Sequence, residues 1–195
     1  LAVAGLLEAP LAVTAGSVRF DGAELTRDGR VPSKLRSAAL AKQLGTRMAM
    51  IFQDPSTSLN PALRIGSQVA EIGTLHEGMG RGEASKRAID RLRAVLIRDP
   101  ERRAKQYPHE FSGGMRQRTM IAMGLMGRPA LIIADEPTTA LDVTVQREVL
   151  GLLRAVNREE GAAVLLISHD IAVITSLCTR VLVMYRGKLV EQVTV

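Results

Sequence analysis

Three short apolar runs in this chain end on side chains that can hold a metal ion, a proton or a phosphate oxygen. Met48-Ala49-Met50-Ile51-Phe52 leads to Gln53. Ala130-Leu131-Ile132-Ile133-Ala134 leads to Asp135 and Glu136, and Val164-Leu165-Leu166-Ile167 leads to Ser168-His169-Asp170. Adjacent carboxylates can divide labour. Mg²⁺ prefers octahedral oxygen ligands and retains water, which suits Asp135 at a strand end. Glu136, one residue on, can act as general base or orient an attacking water. His169 could contact a phosphate oxygen. Each residue also has a plainer reading: solvent-facing carboxylates, a packed histidine, a strand-end amide bonding backbone. Their joint occurrence is the stronger sign, because ligands of open parallel sheets bind beyond the carboxyl ends of the strands.

A second group lies between the first two runs. Ser112-Gly113-Gly114 precedes a helical pattern starting near Met115. Glycines let backbone N–H groups approach an anion, and a helix N-terminus favours negative charge. Ser112 can cap that helix or donate to a phosphate oxygen. A G-x-x-x-x-G-K-[S/T] phosphate loop does not occur in the 195 residues.

The elements that must position these groups are readable in outline. Leu1–Leu7 reads as the tail of a buried helix. Gly16–Gly22 reads as a strand with Val18 and Phe20 inward, closed by Asp21-Gly22. Arg27–Leu44 is polar and partly helical in pattern. Helical periodicity occupies Ile65–Leu75, Glu83–Leu96 and Met115–Met126, punctuated by Gly78–Gly82 and Asp99-Pro100. A helix is expected from the cap Asp142 to Gly161, with Val145, Val149, Leu152, Leu153 and Val156 on one face. Val181–Tyr185 turns at Arg186-Gly187 into Lys188-Leu189-Val190. Strands alternating with helices predict an α/β fold with a mostly parallel, doubly covered sheet. The expected division is a core part over 1–55, an inserted helical subdomain over 56–127 and a second core part over 128–195.

Composition excludes several classes. Hydrophobic residues make up 46% of the chain, which argues against disorder. Aromatics are 3%, so the core must be aliphatic, and the single Cys178 rules out an intrachain disulfide or a Cys-rich metal site. No apolar run approaches the roughly 18 residues that span a bilayer. The net charge is +6, with much of the excess between Arg81 and Lys105. Without interleaved aromatics for base stacking, that cluster reads as a solvated helical face, and no nucleic-acid partner is expected.

These residues, in this order, resemble an ABC-type ATPase. Phe111–Met115 (FSGGM) looks like the ABC signature, Leu131–Glu136 (LIIADE) like Walker B and Ala140-Leu141-Asp142 like the D-loop. Gln53 looks like the Q-loop glutamine and His169 like the switch histidine. Met50–Pro61, Tyr107–Arg118 and Ala134–Gln146 narrow the likeness to the ATP-binding subunits of bacterial oligopeptide and dipeptide importers, with nickel importers similar. The resemblance implies a P-loop NTPase-type sheet with helices on both faces, and ATP and Mg²⁺ as ligands. It makes Glu136, His169 and Gln53 catalytic, and assigns Asp135 and Gln53 to Mg²⁺, directly or through water. It assigns Ser112, Gly113 and Gly114 to the nucleotide of an opposing subunit, and Asp142 to nucleotide binding. It also implies a second ATPase subunit, two membrane permease subunits, an indirect solute-binding protein, and a peripheral place on the cytoplasmic face of the membrane. The segment from Gln53 to about Ala70 would contact the permease.

Within this resemblance Leu1–Leu7 corresponds to the helix following the P-loop, so truncation of the N-terminal strands and loop is expected. A soluble ABC ATPase of DNA maintenance is the alternative, but Gln53 and Ser112 stand only 59 positions apart, with no Cys pair between them. A non-catalytic regulatory subunit is the other. Lacking a loop for the β- and γ-phosphates, the 195-residue chain on its own is expected not to turn over ATP. Phosphate release that depends on Glu136, from the purified chain, would contradict this.

Overall fold

The computed structural model describes residues 4, 13–27, 45–139 and 141–195. The helix tail expected at Leu1–Leu7 and the helical pattern expected after Arg27 lie outside the described residues, apart from Ala4. At the centre are three parallel strands: β3 (Met48–Ile51), β4 (Leu131–Asp135) and β5 (Ala163–Ile167), in the order β3-β4-β5. They are preceded by the antiparallel hairpin β1 (Ser17–Phe20) and β2 (Ala23–Arg27), and followed by the antiparallel hairpin β6 (Arg180–Tyr185) and β7 (Lys188–Thr194). Both hairpin turns, Asp21-Gly22 and Arg186-Gly187, have positive φ at both central residues. This backbone matches the right-handed twist of the strands that it joins.

Between β3 and β4 the chain is helical: α1 (Pro55–Ser58), α2 (Ile65–His76), α3 (Arg81–Ala94), α4 (Pro100–Arg103), a 3₁₀ turn at Pro108–Glu110 and α5 (Gly113–Gly124). The long α6 (Val143–Glu160) connects β4 to β5, and α7 (Ile171–Leu177) follows β5. α3 ends earlier than its periodicity suggests, because Leu96 takes a left-handed φ of 61°. α7 and β2 carry too little pattern to be read in advance.

Strand alternation sends side chains to opposite faces. Ala49, Ile51, Ile132 and Ala134 enter one core with Ile65, Val69, Leu92, Ile121, Leu125 and Leu153 of the helices. Met48 and Ile133 enter a second, smaller core on the other face with Ala4 and Leu25, flanked by Val18 and Phe20 of the hairpin. Among the described residues, helices therefore pack on one face and the β1–β2 hairpin on the other. α6 lies on the helical side, its buried residues Val149, Leu152, Leu153 and Val156 matching the expected stripe. Asp142 caps its start, and Gly161 (φ 70°) ends it in the left-handed conformation.

Polar contacts hold the helical segment in place. Gln68 is buried, yet its amide nitrogen donates to the Asn60 and Leu63 carbonyls and its oxygen accepts from Asn60 N–H. It thereby clamps the loop between α1 and α2. Arg91 pairs with Glu160 at 2.5 Å, and Arg118 joins Glu148 to the Leu96 carbonyl, so α3 and α5 are tied to α6. Several arginines of the basic cluster are engaged in this way, Arg87 with Glu77 and Arg93 with Asp90 and Glu101.

Two backbone segments cross closely at Gly127. A Cβ there would lie 2.1 Å from the Gly45 carbonyl oxygen and 2.4 Å from Thr46 Cα, whereas a Cβ on Gly151 of α6 meets open space. Gly127→Ala is expected to destabilise the protein by about 1–3 kcal/mol through overpacking. Gly151→Ala should instead stabilise it by about 0.5–1 kcal/mol through helix propensity. Urea unfolding of the complete protein checks both, and equal stability of the two variants would contradict the close crossing.

Candidate active site

β4 pairs with β3 as Ile51 opposite Ala134, and with β5 as Asp135 opposite Ile167. The three strand ends therefore stand side by side, and the residues following them emerge at one edge. Glu136 leaves β4 in the left-handed conformation at φ 47°. For a non-glycine residue this costs roughly 1–3 kcal/mol unless the surroundings enforce it. Here its N–H donates to the Ile167 carbonyl at 2.9 Å, which carries the β4–β5 ladder one residue further and holds the turn.

The Glu136 carboxylate is met from two sides. Its Oε1 lies 2.7 Å from His169 Nδ1 and accepts from the His169 backbone N–H at 3.1 Å. Its Oε2 accepts from the Thr139 hydroxyl at 2.9 Å. The Glu136 side chain is 17% exposed and that of His169 is 81% exposed, so the imidazole forms the open side of the pair. With Nδ1 against the carboxylate, Nε2 points away from it.

Partial burial pushes the Glu136 carboxyl up, but hydrogen bonds from His169 and Thr139 and the charge of His169 outweigh it. The group lies below the ordinary carboxylate range. The Glu136 hydrogen bond, and then its charge, raise His169 above the ordinary imidazole value. A lowered carboxyl contributes stability that is lost as pH falls through its folded pKa, and a raised imidazole contributes stability that is lost as pH rises through its own. The charged pair is therefore complete between the ordinary values of 4.5 and 6.5 and fades on either side.

Asp135 is half-buried, and its carboxylate makes no hydrogen bond or ion pair among the described residues. Gln53 is exposed at the neighbouring strand end, its amide likewise without a partner among those residues. Together they offer hard oxygen donors, which fits Mg²⁺ rather than a soft metal. No group of three or more His, Cys, Asp or Glu that could hold a metal ion occurs among the described residues, so protein ligands would be few.

Ser112, Gly113, Gly114 and Asp142 form a separate group. Ser112 caps α5, its Oγ accepting from Met115 N–H at 3.3 Å. A Cβ on Gly113 meets nothing, whereas a Cβ on Gly114 would lie 2.5 Å from Val145 Cγ1 of α6. The two glycines, equivalent by sequence, therefore differ: Gly113 leaves an open approach and Gly114 permits helix contact. That contact sets the start of α5 beside the start of α6. Asp142 Oδ1 accepts from the N–H groups of Thr144 and Val145, both at 3.0 Å. No hydrogen bond among the described residues joins this group to Glu136 and His169. The contact of Thr139 with Glu136 was not foreseen. Its one sequence signal is a hydroxyl three residues after the carboxylate.

A parallel sheet with carboxylates and a histidine at its carboxyl ends, together with a glycine-opened helix, is an α/β arrangement able to receive an anionic ligand. Residues 2–139 match the family described as ABC transporter, and the chain belongs to that family. It is 50% identical over 174 residues to the probable peptide ABC transporter ATP-binding protein y4tR of Sinorhizobium fredii, covering 89% of this chain and 52% of that protein. It is 48% identical over 176 residues to the oligopeptide transport ATP-binding protein OppD of Salmonella typhimurium, covering 90% of this chain and 50% of that one. The chain thus spans about half the length of the curated relatives that it matches. Its fold is similar to that of the ATP-binding cassette MJ0796, solved as a dimer in a post-hydrolysis state bound to ADP and Pi. The TM-score is 0.78 at 27% identity, over 93% of this chain and 74% of that one.

Replacing Glu136 by Gln removes the charge that raises His169. The imidazole titration, followed by NMR in the complete protein, is expected to move down towards the ordinary value of 6.5. An unchanged midpoint would show that the pair does not persist in solution.

Proposed function

We propose that this chain is the greater part of the ATP-binding and ATP-hydrolysing core of a bacterial ABC importer subunit that energises peptide uptake. The observation that carries the reading is the Glu136–His169 pair at the ends of adjacent parallel strands, beside the Asp135 carboxylate, which has no partner among the described residues. The names of relatives at 50% and 48% identity support peptides as the solute. They do not favour the DNA-maintenance alternative.

In this reading Asp135 and Gln53 would hold Mg²⁺, directly or through water. When bound, the ion would neutralise charge on the phosphate oxygens. Glu136 accepts a proton from the attacking water or orients it, and His169 presents Nε2 to a γ-phosphate oxygen. Phosphoryl transfer asks mainly for such positioning and charge stabilisation. Ser112, Gly113 and Gly114 would serve a nucleotide on a second ATPase subunit: Gly113 leaves room for it, and the hydroxyl hydrogen of Ser112 remains available while its oxygen caps α5. Asp142 would act at the same junction by holding the start of α6.

Residues 56–127 would form the helical subdomain. Its first part, from Gln53 to about Ala70, would meet the permease, with a solute-binding protein acting beyond it. No described helix is long and apolar enough to cross a membrane, and the subunit would sit peripherally on the cytoplasmic face.

In the complete protein Glu136→Gln is expected to lower hydrolysis by about 10²–10⁴-fold while sparing ATP binding. Phosphate release and equilibrium nucleotide binding measured side by side check this. Equal loss of both would reassign Glu136 to binding.

A further inference from the structure

We infer that Thr139 is a positioning residue for Glu136, holding Oε2 so that a lone pair of that oxygen faces the reacting water. The inference rests on the hydrolytic role proposed for Glu136.

The two carboxylate oxygens are held differently. Oε1 is taken by His169 through both the ring and the backbone N–H, at 2.7 and 3.1 Å. Oε2 receives one donor, the Thr139 hydroxyl, at 2.9 Å. A carboxylate oxygen can accept more than one hydrogen bond, so Oε2 keeps capacity for a water proton while Thr139 fixes its direction.

The hydroxyl is not needed to close the turn. Thr139 N–H already donates to the Glu136 carbonyl at 3.2 Å, and Pro137 and Thr138 anchor the turn by burial. Nor does Thr139 contribute a buried side chain, since it is exposed. What the hydroxyl supplies is an orientation for a carboxylate that leaves its strand in a left-handed conformation and would otherwise be held at one oxygen only. Thr139 also stands at the head of the segment that leads to the Asp142 cap, where Leu141 N–H donates to the Thr138 carbonyl.

The test compares Thr139→Val, Thr139→Ala and Thr139→Ser in the complete protein, with Glu136→Gln alongside. Val and Ala are expected to lower kcat roughly ten- to a hundredfold, with KM for ATP and nucleotide binding unchanged. Ser, which restores the hydroxyl, is expected to recover most of the rate. In the Glu136→Gln background Thr139→Val should add no further loss. Full kcat in Val and Ala while Glu136→Gln is inactive overturns the role of Thr139 and leaves that of Glu136 standing. Equal losses in Ser and Val also overturn it, since the hydroxyl would then not be the acting group. Wild-type hydrolysis in Glu136→Gln overturns the reading of Glu136 itself.

Discussion

The parallel pairing of β4 with β5, with Asp135 opposite Ile167, is the constraint on which the site depends. It aligns the two strand ends, and the Glu136 N–H continues the ladder to the Ile167 carbonyl. Glu136 is thereby forced to turn at that point, and its side chain meets His169, two residues beyond the end of β5. The register is in turn enforced by burial on two faces. Ile132 and Ala134 enter the helical core, and Ile133 enters the hairpin core. A slip of one residue would exchange these sets and separate Glu136 from His169.

Much of this arrangement was legible in the sequence, for identifiable reasons. Parallel strands buried on both faces read as continuous apolar runs, and β3 and β4 are such runs, whereas the apolar run of β5 lies at the edge of the described sheet with Leu165 and Ile167 exposed. α6 is long, has one apolar stripe and carries cap residues at both ends, so Asp142 and Gly161 bound it well. α7 has seven residues with one of them buried, Val173, too few to display a period. In β2 a buried Leu25 is a weak alternation signal. The left-handed backbone of Glu136 could not be read at all, because residue type favours it only at glycine, asparagine and aspartate. The contact with Thr139 follows from that conformation and was equally hidden.

Glycine shows the same limit in a different form. Ser112-Gly113-Gly114 reads as two interchangeable permissive residues before a helix. In the folded chain Gly114 lies against Val145, where a methyl group would strike Cγ1 at 2.5 Å, and Gly113 faces open space. Which glycine serves packing and which leaves an approach depends on α6, an element about 30 residues further along the chain. Local sequence can mark such a place as special without saying which neighbour makes it so.

α6 borders the start of α5 and is tied to the helical segment along its length. At its start, Asp142 caps it beside the Ser112 end of α5, and the segment from Thr139 leads directly into it. Along its length, Glu148 and Glu160 bind Arg118 of α5 and Arg91 of α3. Arg118 is largely buried, and its Nε has no partner among the described residues. Breaking that bridge would leave a cation poorly solvated, a cost that exceeds that of losing an exposed pair. The helical segment is therefore coupled to α6 more firmly than a count of surface ion pairs suggests. α6 thus meets α5 at Val145 and Glu148 and α3 at Glu160, and its cap Asp142 follows Thr139 by only three positions.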